Sequence, residues 1–207
     1  TLIQNTTRSV VLLLRSCKSR QKMKSKYFSI VLFIFFSTTI YAQNSSKNEY
    51  YNGQFKWKIV IPENFQYVNS EEQKQLQERG EDAFEKTYGQ DITNQTTHIF
   101  AFNNGKFNYF DSCYQPYDTE TDGDYITTCK GVNNILYETL STQLKQAKID
   151  TISGTEIIDK LEFQTFNLKV KLPNGIDMNM ITYCRLFDKK ELSVNIIYID
   201  EKKGQLM

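Results

Sequence analysis

Two strand-length segments near the end of the chain, Ile176 to Phe187 and Leu192 to Ile199, are apolar on both faces, and nothing else in the sequence limits the fold as much. In the first, Ile176, Met178, Met180, Cys184 and Leu186 mark one side and Ile181, Tyr183 and Phe187 the other. A strand of this kind lies inside a sheet that is covered above and below. The preceding segment, Glu162 to Leu172, alternates Phe166, Leu168, Val170 and Leu172 and runs into Pro173-Asn174-Gly175, a tight turn. Asp188-Lys189-Lys190 makes the next turn. Short turns between long strands predict an antiparallel sheet.

The covers must be helices. Val132 to Ala147 carries Val132, Ile135, Leu136, Leu140 and Leu144 on one stripe. Burying its Ile and Leu side chains yields roughly 6–12 kcal/mol gross, so this helix is expected on the sheet. Ser70 to Tyr88 is predicted as a second helix, with Ser70 and Gln73 as a capping box and Leu76, Ala83, Phe84 and Tyr88 on one face. The second sheet face is expected to take this helix or sequence beyond Met207, and the C-terminus is expected to be truncated.

Phe55 to Ile61 alternates Phe55, Trp57, Ile59 and Ile61, a half-buried strand ended by Pro62. Thr97 to Phe102 and Lys106 to Phe110 flank Asn103-Asn104-Gly105, a hairpin signature. Ser112 to Lys130 reads as a loop, and Thr151 to Ile158 as a strand turning at Ser153-Gly154.

The N-terminal part has another character. Lys24 and Lys26 precede an apolar run from Tyr27 to Phe36, and Ile40-Tyr41-Ala42 offers a small residue for cleavage before Gln43. From Tyr27 to Ala42 the run is too short to cross a hydrocarbon core about 30 Å thick comfortably. Residues 23–42 are therefore expected to be a cleaved signal peptide, the alternative being an uncleaved N-terminal anchor, with residues 1–22 an upstream extension, 43–54 flexible, and 55–207 a single domain, periplasmic or secreted. No membrane span is expected after cleavage.

Removing the first 42 residues leaves 18 basic and 24 acidic side chains, a net −6, although the whole chain is +1. With no long basic run, nucleic acid is a poor partner. Cys113, Cys129 and Cys184 remain. An oxidising compartment makes a Cys113–Cys129 disulfide the expectation, with Cys184 an inert strand thiol.

In the loop thus tied off, Asp118, Glu120, Asp122, Gly123 and Asp124 follow the D-x-D-x-D-G rhythm of a calcium loop. The twelfth position is Cys129 where a bidentate Glu is expected, so the alternative is a solvated acidic surface. Weak calcium at Asp118, Glu120, Asp122 and Asp124 is the sole cofactor expectation. His98 is the only histidine, and no serine or cysteine nucleophile pairs with it recognisably.

Element order and turn placement resemble the PsbP-like superfamily over Phe55 to Ile199. The carrying features are Ile61-Pro-Glu-Asn-Phe65, a polar helix, a hairpin, the apolar helix 132–147, Ser153-Gly154 and Leu172-Pro-Asn-Gly175. The resemblance implies an α+β fold, an α/β/α sandwich around an antiparallel sheet, with a C-terminal helix and no catalytic residues. It also implies a binding or accessory module. An exported non-catalytic module for an unknown protein or small-molecule ligand is therefore the expectation. The alternative is an extracytoplasmic hydrolase whose acids assemble only in three dimensions, which a cleft holding two or more perturbed acids would reveal.

Overall fold

The computed structural model describes residues 49–89 and 95–207. The signal segment at 23–42 and the extension at 1–22 lie outside the described residues. Glu49–Asn52, inside the segment read as flexible, instead form strand β1 and pair antiparallel with β2, Trp57–Val60. Tyr50 explains why: its ring stacks on Phe100 at 4.3 Å and its hydroxyl donates to the Ile99 carbonyl.

The main sheet has seven antiparallel strands in the order β3-β4-β5-β9-β8-β7-β6. These are Gln66–Tyr67 (β3), Thr97–Asn103 (β4), Tyr109–Pro116 (β5), Lys148–Ile158 (β6), Leu161–Lys171 (β7), Asp177–Phe187 (β8) and Lys190–Tyr198 (β9). As the apolar faces demanded, β8 and β9 lie inside the sheet. Gly175, at φ 81°, makes the turn between β7 and β8, a conformation that costs other residues more. Strand β6 runs unbroken through Ser153-Gly154, each residue paired with β7, so the turn expected there is absent. In an extended edge strand, serine and glycine simply follow the ladder.

Both long helices lie on one face. Helix α1, Ser70–Tyr88, is capped by Asn69, one residue before the expected cap, whose side chain accepts from the Glu72 amide. Helix α3, Tyr125–Gln143, starts well before Val132. Asp124 caps it by accepting from the amide and hydroxyl of Thr127. The loop expected over 112–130 is therefore the end of β5, the one-turn helix α2 at Thr119–Asp122, and the first turns of α3. Leu76, Ala83 and Phe84 of α1 and Leu136 and Leu140 of α3 share one core cluster with Phe166, Leu168, Val170 and Met180 of the sheet.

The second face is covered differently. Over β4, β5 and β9 lies the β1–β2 hairpin, joined by Met207, which follows the short helix α4 at Glu201–Gly204. Phe100, Phe102, Phe110, Ile196 and Tyr198 form the core there. A hairpin is narrower than a helix pair, and the sheet beyond it stays open.

Candidate functional site

That open part is a groove of about 740 Å³. Its floor comes from the alternate residues of three neighbouring strands: Leu161 and Phe163 of β7, Ile181, Tyr183 and Phe187 of β8, and Leu192, Val194 and Ile196 of β9. Period-two alternation puts them all on one face. Phe55 and Trp57 from the hairpin, with Gly204 and Met207, form the walls. The volume and the mostly apolar lining are those of a small-molecule site.

The groove's polar groups are few. Trp57 Nε1 is shielded from solvent and has no hydrogen-bond partner among the described residues. Burial, and then the Glu156 carboxylate, push the Tyr183 phenol up, so it stays neutral. Lys56 and Lys58 line the hairpin side. At the far end the Arg185 guanidinium lies over Phe187 at 5.3 Å and over Phe163 at 6.0 Å, and one of its nitrogens donates to the Glu162 carbonyl. Asp159 is the one acid in the lining.

The opposite face hides a polar row that the sequence did not announce. Asp111, Cys113 and Gln115 of β5 stand beside Asn195, Ser193 and Glu191 of β9, and all six are buried. Glu191 accepts from Gln115 Nε2 at 2.6 Å, from the Tyr125 hydroxyl at 3.4 Å and from the Cys129 thiol at 3.9 Å. Burial, and then the Glu191 charge, push the Tyr125 phenol far up. Such a layer is shut off from substrate and works as an internal framework.

His98 closes one side of this layer. Its Nδ1 lies 3.4 Å from Asp111 Oδ1 and its Nε2 3.2 Å from Gln77 Oε1, so both ring nitrogens face acceptors. Burial pulls its pKa down, but the hydrogen bond and charge of Asp111 outweigh this and leave it raised. Both nitrogens being committed, the ring does not serve Cys113, its cross-strand neighbour, as a base.

The residues singled out for metal and disulfide chemistry fall as follows. Asp118 caps α2 by accepting from the Glu120 amide, Asp122 accepts from the Asp118 amide at 2.6 Å, and Asp124 caps α3. Glu120 is exposed. Among the described residues no group of three or more His, Cys, Asp or Glu is arranged to hold a metal ion. Thermal melting decides whether calcium recruits these acids. A site raises Tm with millimolar Ca²⁺ more than with Mg²⁺, and charge reversal at Asp122 and Asp124 removes the difference; capping alone gives one Tm in Ca²⁺, Mg²⁺ and chelator. Cys113 in β5, Cys129 in α3 and Cys184 in β8 are buried, and no disulfide joins Cys113 to Cys129 in this structure. They sit inside regular elements, not at the ends of a loop.

No family model matches the chain, and no curated protein matches it. Among solved structures it is similar to the solution structure of cyanobacterial PsbP (CyanoP) from Synechocystis sp. PCC 6803. The overlap has a TM-score of 0.48 at 8% identity and covers 76% of this chain and 83% of that one. No helix among the described residues is long and apolar enough to cross a membrane.

Proposed function

We propose that the protein is an exported, non-catalytic binding module that holds an amphipathic ligand, with an apolar body and an anionic head, in the groove of the second face. The observation that carries this reading is the lining: an aromatic and aliphatic trough with a partnerless indole N–H and cations at its edge. An acyl or aromatic body buries against Phe163, Ile181 and Val194, while a carboxylate or phosphate group meets Lys56 or Lys58. The hydrolase alternative needs paired acids in the groove, where Asp159 is the lining acid and the Glu156 carboxylate is engaged by the Tyr183 hydroxyl.

Trp57 is the sole tryptophan, so its emission reports the groove directly. Dodecanoate below its micellar concentration is expected to shift that emission saturably, and dodecyltrimethylammonium at equal concentration is not. Ile181→Glu, checked by a cooperative melt, is expected to weaken dodecanoate binding by about tenfold or more, because a carboxylate then stands where the apolar body must bury. Equal responses to both amphiphiles, or no saturation with either, would overturn the reading.

A further inference from the structure

We propose that β6 is a docking edge for a second copy of this chain, the two β6 strands pairing antiparallel about a two-fold axis at Ile152 to join both sheets into one. Strand β6 ends the sheet order, and among the described residues nothing pairs with its outer edge. It is 11 residues long, and its ladder with β7 has no bulge. The sequence from Lys148 to Ile158 also contains no proline. Natural sheets blunt their edges with short strands, bulges, proline or charge, because an open edge is a template for pairing. Here the strand is long, unbulged and free of proline, and the charges it carries are Lys148, Asp150 and Glu156. Ile152 is 62% exposed and Ile157 is 72% exposed, so each has apolar surface to bury against a paired strand.

The order of residues selects the occupant. If the helices of both copies are to stay on one face of the joined sheet, residues of like parity must stand opposite each other. Centred on Ile152, the pairing sets Lys148 against the partner's Glu156 at both ends and Ile152 against the partner's Ile152 on the axis. Thr151 meets the partner's Ser153 and Asp150 meets the partner's Gly154. Moving the axis to Ser153 sets Asp150 against the partner's Glu156 twice, a like-charge clash. The sequence is therefore self-complementary in the Ile152-centred register and penalised in the Ser153-centred one. Glu156 is already steered by a hydrogen bond from Tyr183 of its own chain. Lys148 lies 3.2 Å from Asp150 in an exposed ion pair that is easily exchanged.

Sedimentation equilibrium with amide hydrogen exchange tests this. The protein is expected to dimerise, and the outward amides of β6 are expected to gain protection as concentration rises. Ile152→Lys places two ammonium groups on the axis without touching the core, and the dissociation constant should rise by about tenfold or more. Lys148→Glu and Glu156→Lys should each weaken the dimer, and the double swap should restore it. A monomer at millimolar concentration overturns the proposal. So does a dimer whose β6 amides stay unprotected, or a double swap no better than the single changes.

Discussion

Leu140→Asp is expected to unfold the domain. Leu140 is 0% exposed and belongs to the cluster where α3 meets α1 and the sheet, so a carboxylate there has neither water nor a partner. Losing the leucine contacts costs about 2–5 kcal/mol, and burying an unpaired polar group adds to that. Ordinary domains are stable by roughly 5–15 kcal/mol, so little remains. The control is Tyr137→Asp on the exposed face of the same helix, which should change stability by about 0.5 kcal/mol or less. A cooperative urea transition of Leu140→Asp near the wild-type midpoint would mean that α3 does not pack as described.

The second large effect is pH-dependent. The folded pKa of His98 is raised, so the pair with Asp111 contributes its full stability below the unfolded value of about 6.5. The contribution fades as pH rises through the folded value. Asp111→Asn removes the charge that holds the proton, leaving burial to push the ring toward neutrality. Breaking a buried pair in this way costs about 3–5 kcal/mol, and the loss should be larger at about pH 5 than at about pH 8. Urea midpoints measured across that range give the test. A pH-independent loss would assign Asp111 a packing role alone.

Much of the architecture was legible, for physical reasons that differ from element to element. Strands β7 and β8 and the turn at Pro173-Asn174-Gly175 were readable because a period of two and a positive-φ glycine are local signals. The first turns of α3 were missed because Cys129 and Asn133, polar or ambiguous by composition, are its buried residues there. Strand β1 was missed because its reason for being ordered, the stacking of Tyr50 on Phe100, joins residues far apart in sequence. The groove was invisible too. Ile181, Val194 and Phe163 read as ordinary core positions until the narrow hairpin leaves them partly uncovered. Conversely, Glu191, Ser193 and Asn195 are polar residues in alternation, yet all three are buried. Their partners Gln115, Cys113 and Asp111 come from another part of the chain, and no window on the sequence shows that.

The seam between β5 and β9 has a further consequence, in time. Strands β3 to β5 form one meander and β6 to β9 another, each closed by sequential neighbours. The seam is the one ladder between them among the described residues, and Gln115 and Glu191, which pair across it, are 76 residues apart. Closing so long a loop costs chain entropy before any contact repays it. Pairing β5 with β9 is thus expected to be a late step of folding, its register marked by the polar pairs Asp111–Asn195, Cys113–Ser193 and Gln115–Glu191. On a ribosome the first half waits for the last strand, and until β9 emerges its own β5 edge stands open.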